Sequence, residues 1–248
     1  MDLTKEALKK ACRENDLYST PSLNDRLYLH YKGIRRIENL EEYTALRVLW
    51  LEGNGLAKIE GLDHQAQLRT LYLHENLIEK IENIDALVDL DTLNLTRNYI
   101  KKIEGLDNLP KLTTLLLGHN ILKTAEDVRH ILQCPSLQTL DLQHNHIEDP
   151  AVMDVVAAVP GLRVLYLMGN PIIKVIKHYR KTIVSRCSGL KYLDDRPVFD
   201  DERMRCTAWA RGFAAGGVDA ANTAERAEIV RLRDEKRGED ERQHHAFE

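Results

Sequence analysis

Leucine is placed periodically along this chain. The pattern Leu-x-x-Leu-x-Leu-x-x-Asn-x-Leu/Ile begins at Leu46, Leu68, Leu90 and Leu112, 22 residues apart, and continues at Leu137 and Leu162 at intervals of 25. In each unit the second and third leucines, such as Leu49 and Leu51 or Leu71 and Leu73, are separated by one residue. That is the period-two alternation of a strand with one buried face. The pattern predicts short strands over residues 48–51, 70–73, 92–95, 114–117, 139–142 and 164–167, side by side in one parallel sheet. A single repeat cannot bury its own leucines, so neighbouring repeats must stack. Each buried Leu then contributes about 1.5–3 kcal/mol relative to exposure.

The ninth place of every unit is an asparagine: Asn54, Asn76, Asn98, Asn120, Asn145 and Asn170. Repeated where a strand turns into a buried loop, these side chains are expected to form a ladder that pairs with backbone groups. Unsatisfied, such groups would cost about 1–3 kcal/mol each. Their role reads as structural rather than catalytic. A second signature keeps the same period: Ile37-Glu38-Asn39-Leu40, Ile59-Glu60-Gly61-Leu62, Ile81-Glu82-Asn83-Ile84 and Ile103-Glu104-Gly105-Leu106. Its Ile and Leu are expected to enter the core from the back. Arg36, Lys58, Lys80 and Lys102 precede the Ile each time, so a basic row should run beside the acidic one and offset its repulsion. In the two longer repeats, Val128, Ile131 and Leu132, and then Val152, Val155, Val156 and Val159, follow helical spacing. Asp149-Pro150 marks the start of the second of these helices and Pro160-Gly161 its end.

A stack of repeats must be capped, or its end leucines meet water. At the front, Leu3, Ala7, Leu8, Ala11 and Cys12 form one stripe of a helix with Thr4 as N-cap, followed by a degenerate repeat through Leu27, Leu29 and Ile34 with Lys32 in place of the Asn. At the back, Ile176, Tyr179, Ile183 and Cys187 form an amphipathic helix ended by Gly189, and Leu190–Leu193 supplies a last strand-like turn. The expected organisation is a helical cap (1–22), the repeats with a C-terminal cap (23–196), a short helix packing on that cap through Cys206, Trp209, Ala210 and Phe213 (197–215), and a charged helical or disordered tail (216–248). The fold class is an α/β solenoid, a leucine-rich-repeat horseshoe. One parallel sheet lies on its concave face and 3-10 or α segments lie on its convex face.

Composition narrows the function. The 248 residues are 43% hydrophobic and 30% charged with a formal net charge of -4, so no basic footprint points to nucleic acid or an anionic membrane surface. No run approaches a membrane span, and the opening Met1-Asp2-Leu3-Thr4-Lys5-Glu6 is too charged for a signal peptide, so a cytoplasmic location is expected. Cys12, Cys134, Cys187 and Cys206 lack the spacing of a disulfide framework or a zinc site and read as buried reduced thiols. No phosphate loop, serine elbow or His-x-x-x-His pair is present. Asp194-Asp195 suits a turn. His30, His74, His119 and His144 sit at strand ends, and His244-His245 belongs to a polar tail. Neither catalytic residues, a cofactor nor a metal is expected.

The concave face is more informative. Tyr28, Trp50, Tyr72, Asn94, Leu116, Asp141 and Tyr166 should point outward, one from each strand. The first three make an aromatic row flanked by Arg26, His30, Glu52 and His74. Exposed aromatics on a rigid surface have the composition of binding hot spots. The candidate partner-binding set is therefore Arg26, Tyr28, His30, Trp50, Glu52, Tyr72, His74, Asn94, Asp141 and Tyr166. A competing reading is that stacked aromatics only stabilise neighbouring strands.

The Ile-Glu-x-Leu repeats resemble the leucine-rich-repeat class named for a regulatory subunit of protein phosphatase-1. Several strings are more particular. They are Leu23-Asn24-Asp25, Leu29-His30-Tyr31-Lys32-Gly33, Arg36 to Thr44, Leu165-Tyr166-Leu167-Met168-Gly169-Asn170-Pro171, Tyr192-Leu193-Asp194-Asp195-Arg196-Pro197-Val198-Phe199 and Ala208-Trp209-Ala210-Arg211-Gly212. Together they are similar to the leucine-rich-repeat dynein axonemal assembly factors over residues 4–213, with 192–212 the most specific stretch. The resemblance implies a non-enzymatic scaffold needed to preassemble the dynein arms of motile cilia or flagella. Its partners would be dynein chains, chaperones or other assembly factors, and its location the cytoplasm and the cilium. Two alternatives stay open: a phosphatase-1 regulatory subunit, and a structural axonemal component binding dynein or tubulin. A monomer without nucleic-acid or membrane partners is expected. The likeness is expected to end after Gly216, where the long C-terminal extension common in that family does not follow.

Overall fold

The computed structural model describes residues 2–245, with the side chains of 243–245, including His244 and His245, outside the described residues. The chain forms two compact units, Met1–Val175 and Ile176–Glu248.

The first unit is built on seven three-residue strands: β1 (Arg26–Tyr28), β2 (Val48–Trp50), β3 (Thr70–Tyr72), β4 (Thr92–Asn94), β5 (Thr114–Leu116), β6 (Thr139–Asp141) and β7 (Val164–Tyr166). Each pairs in parallel with its successor, in the register set by the repeat, so that Leu49 faces Leu71 and Leu115 faces Leu140. The strands stop one residue sooner than the sequence pattern suggests. The following leucine still belongs to the core: Leu51 is fully buried and its amide donates to the Tyr72 carbonyl at 2.9 Å before the chain turns away.

The turn is where the asparagines act. The Oδ1 of Asn98 accepts from the Ile78 amide at 3.0 Å, and its Nδ2 donates to the carbonyls of Leu73 (2.9 Å) and Leu95 (3.1 Å). Asn76, Asn120, Asn145 and Asn170 repeat this arrangement, each joining its own loop to the repeat before it. Carbonyls along the row are shared: Leu73 takes an amide from both Asn76 and Asn98. In the degenerate first repeat, Asn54 reaches back to the amides of Lys32 and Ile34, so the missing asparagine leaves no gap in the ladder.

Ile37, Leu40, Ile59, Leu62, Ile81, Ile84, Ile103 and Leu106 close the core from the other side, all essentially buried. The alternation of Asn and Gly in this motif has a conformational cause. Asn39, Gly61, Asn83 and Gly105 all adopt positive φ, between 57° and 68°. Only Gly, and less readily Asn, accepts that region at little cost. Where Asn stands, its amide also links repeats, Asn83 Nδ2 donating to the Ile59 carbonyl at 2.7 Å. Of the charge rows beside this motif, Arg36 pairs with Glu60 at 3.1 Å, while Lys102 turns instead to Glu126 at 3.6 Å.

The helices of the longer repeats are brief. The first is a single turn, α2 (Ala125–Val128), opened by a Thr124–Asp127 capping box and continued as a 3-10 helix over Arg129–Gln133. That tighter winding carries Leu132, expected to face the core, to the surface at 40% exposure. The second, α3 (Val152–Ala157), buries Val152, Val155 and Val156 as its spacing implies. A last short turn, α4 (Ile172–Val175), ends the unit. At the front, α1 (Lys5–Glu14) is capped by Thr4, whose hydroxyl accepts from the Ala7 amide at 3.1 Å, and buries Leu8, Ala11 and Cys12.

The second unit contains α5 (Tyr179–Arg186), the antiparallel pair β8 (Tyr192–Leu193) and β9 (Arg196–Pro197), and α6 (Asp200–His245). α5 starts later than its apolar spacing suggests: His178 is left-handed, φ 53°, and leaves Ile176 outside the helix. α6 is broken by non-helical Gly216 and Gly217, so it is two helices. The second folds back on the first. Glu225 meets Lys181 of α5 at 2.5 Å, Arg231 reaches the Met204 sulfur at 3.5 Å, and Ala221 is fully buried. A side chain at Gly212 would strike the Ala220 carbonyl, which explains the small residues at this crossing. The tail, expected to be solvated, is thus partly a packing element. Arg180 holds the unit together, bonding both oxygens of Glu202 (2.6 and 2.8 Å) and the carbonyls of Leu193 and Pro197 (3.3 and 2.8 Å). Arg203 donates to the carbonyls of Val184, Cys187 and Leu190, closing the end of α5.

Candidate functional site

The outer face of the sheet in the first unit carries the expected residues. Tyr28, Trp50 and Tyr72 are partner residues of adjacent strands and are half-buried. Their rings form a continuous stack. Tyr28 and Trp50 lie 4.5 Å apart at 22°, and Trp50 and Tyr72 lie 5.6 Å apart at 23°. His30 and His74 stand edge-on to Tyr28 and Tyr72 at 6.3 and 6.1 Å. Arg26, at the strip's end, is drawn to the Asp25 carboxylate at 3.1 Å and to the Tyr28 hydroxyl, and both raise its pKa. On the row beside the strip, Glu52 Oε2 and His74 Nδ1 are buried without a hydrogen-bond partner.

Further along, the outward set is less open than the alternation implies. Asn94 is half-exposed, but its Oδ1 accepts from the Thr96 amide at 3.0 Å. Asp141, expected to be exposed, is buried, with only 6% of its surface exposed. The chain next to it is Gly118, and Gln143 folds over it. Asp141 accepts from the Gln143 amide and from Gln143 Nε2, both at 2.9 Å. Burial pushes the Asp141 carboxyl above its ordinary range, against the pull of those two bonds. It is therefore removed from the open set. Tyr166 is half-buried at the far end. The structure thus brings Arg26, Tyr28, His30, Trp50, Glu52, Tyr72 and His74 together, sets Asn94 beside Tyr72 on the next strand, and leaves Asp141 and Tyr166 two and three strands beyond Asn94.

A second row was not legible from leucine spacing. Just before each ladder asparagine the backbone turns left-handed, at Gly53, Glu75, Arg97, His119, His144 and Gly169. The Tyr31 ring crosses over Gly53, where a Cβ would lie 2.0 Å from it, and its hydroxyl bonds Glu75 at 3.1 Å. His119 and His144 stack at 4.5 Å and 18°, and the His144 ring covers Gly169. His119 is held below its ordinary pKa by burial first, then by His144 and Arg97. The recurring positive φ, invisible to hydrophobic patterning, aligns these side chains.

The cysteines are free and buried, and burial pushes the Cys134, Cys187 and Cys206 thiols up to about 11. Among the described residues, no cluster of three or more His, Cys, Asp or Glu is placed to hold a metal ion, and no helix is long and apolar enough to cross a membrane. What the unit offers is a rigid sheet with an aromatic strip, the arrangement of a leucine-rich-repeat binding scaffold.

The chain belongs to the leucine-rich-repeat family, whose model matches residues 64–220. Among its relatives are the leucine-rich repeat-containing protein ODA7 of Chlamydomonas reinhardtii, 58% identical over 93% of this chain, and human dynein axonemal assembly factor 1, 64% identical over 94%. A match of 231 residues runs well past Gly216, so the likeness does not end there as expected. The chain spans 54% of the algal protein and 32% of the human one. Among solved structures, an internalin from Listeria monocytogenes superposes over 74% of this chain and 49% of its own, with a TM-score of 0.60 at 23% identity, a likeness of fold alone.

Proposed function

We propose that this chain is a non-enzymatic protein-binding scaffold for the preassembly of axonemal dynein arms, acting in the cytoplasm of ciliated or flagellated cells. The observation that carries the reading is high identity, over nearly the whole chain, to proteins named dynein axonemal assembly factor 1. Its partners are proteins of that process: dynein chains, chaperones or other assembly factors. The Tyr28–Trp50–Tyr72 strip is the contact face, because it is the largest aromatic surface on the rigid sheet.

The test is complementation of a flagellated cell that lacks its own copy of this gene. Wild-type protein should restore the dynein arms, and Trp50→Ala should fail to do so while remaining folded. Loss of the indole gives up two ring stacks, about 0.5–1.5 kcal/mol each, so melting temperature is measured on the same variant. Restored arms with Trp50→Ala would remove the strip from the mechanism. Intact arms in the cell lacking the gene would remove the assembly role itself.

A further inference from the structure

The ring geometry specifies what the strip can hold. In a stack, each ring covers its neighbour's face and turns its edge outward. A ring's electron-rich face attracts cations, whereas its edge carries partial positive charge. With the faces of Trp50 used by Tyr28 and Tyr72, the strip presents ring edges to a partner.

The charges around the strip act in the same direction. Arg47 and Arg69 immediately precede β2 and β3 and lie on neighbouring repeats, the Arg69 amide donating to the Arg47 carbonyl at 2.8 Å. Both are exposed, and neither takes part in an ion pair among the described residues. Carboxylates do lie nearby, and Arg47 and Arg69 act at longer range on Asp25 and Asp89, whose ion pairs are with Arg26 and Lys111. Asp25 is held by Arg26 at 3.1 Å, and Asp91, which replaces the arginine in the next repeat, accepts from Thr113 Oγ1 at 2.6 Å. Glu52 has one oxygen buried. Beside the arginine pair opens a cavity of about 630 Å³ that contains Arg26, Arg47 and Tyr28 and is walled by the exposed Tyr18 and Leu23, with Asp16 and the Arg26-paired Asp25 also on its lining.

We infer that the strip docks an acidic protein segment. Its carboxylates engage Arg47 and Arg69 and lie along the ring edges, and an apolar side chain enters the cavity at Tyr18 and Leu23. This inference rests on the strip being the contact face and adds the chemistry of the occupant. Charge-assisted bonds to guanidinium supply orientation. Because the arginines are exposed, the attraction weakens with ionic strength.

The test is selection of a displayed library of random peptides on the purified chain, with Trp50→Ala and the double variant Arg47→Glu/Arg69→Glu as parallel baits. Melting curves confirm that each bait is folded; Tyr72→Ala replaces Trp50→Ala if that variant is not. Peptides that need the aromatic strip should be rich in Asp and Glu with an aliphatic or aromatic residue between them. Their affinity should drop at least about tenfold on the double variant and fall with added salt. Strip-dependent peptides that are neutral or basic overturn the inference while leaving the strip as the contact face. Peptides indifferent to the strip variant, or no enrichment at all, overturn both.

Discussion

Asn98→Ala is the most direct probe of what holds the repeats together. Asn98 is 5% exposed and makes three bonds of 2.9–3.1 Å, one accepted from Ile78 and two donated to Leu73 and Leu95, besides a longer one donated to the Thr96 carbonyl at 3.4 Å. Alanine leaves the Ile78 amide buried without an acceptor, at about 1–3 kcal/mol. The two carbonyls are less exposed to loss, since Leu73 keeps the amide of Asn76 and Leu95 keeps that of Asn120. Each therefore forfeits only a second bond, worth about 0.5 kcal/mol or somewhat more. The total is about 2–4 kcal/mol, with roughly 2–4 °C of melting temperature per kcal/mol for a chain of this size. Asn94→Ala, four residues away, removes one half-exposed bond to the Thr96 amide and should cost about 0.5–1 kcal/mol. Urea titration followed by far-ultraviolet circular dichroism compares the two. Equal midpoints for both variants, or an Asn98→Ala midpoint indistinguishable from wild type, would falsify the ladder as a source of stability.

Two further outcomes are expected. His119 takes its proton at about 6.5 when unfolded and less readily when folded, so its contribution is fully present above 6.5 and is lost as pH falls through its depressed folded value. His119→Gln should lessen the fall in melting temperature on acidification below 6.5, and an unchanged profile would remove the burial of His119 as its cause. In the second unit, Arg180→Met strips Glu202 of both bonds and frees two carbonyls. The pair is about one-fifth exposed, so the loss should be about 1–3 kcal/mol, below that of a fully buried pair. The Arg180 bond also lowers the Glu202 pKa, so its stabilisation is present above 4.5 and fades as pH drops through the folded value. Melts of wild type and variant should therefore converge in acid, and a constant gap down to low pH would contradict that account.

The sequence by itself determined the solenoid. A leucine every second residue within a unit, returning after 22 or 25, admits one register, because a one-residue slip would turn Leu49 and Leu51 to water. The ladder was equally legible, since Asn at a fixed place beside buried turns has one economical use. Tertiary structure alone decided the rest, because it depends on contacts between distant residues or on backbone angles that hydropathy does not encode. Alternation placed Asp141 outward, but Gln143 and the side-chain-free Gly118 of the preceding strand's turn allowed it to be buried. Helical spacing placed Leu132 inward, but the 3-10 winding after Val128 rotated it out. The charged tail read as solvated because its few apolar residues are too sparse to form a stripe. It packs nevertheless, through the break at Gly216 and Gly217 and through long-range ion pairing between Glu225 and Lys181. At the candidate site the period placed Tyr28, Trp50 and Tyr72 on neighbouring strands, but only the ring orientations show that both faces of Trp50 are covered by the two tyrosines.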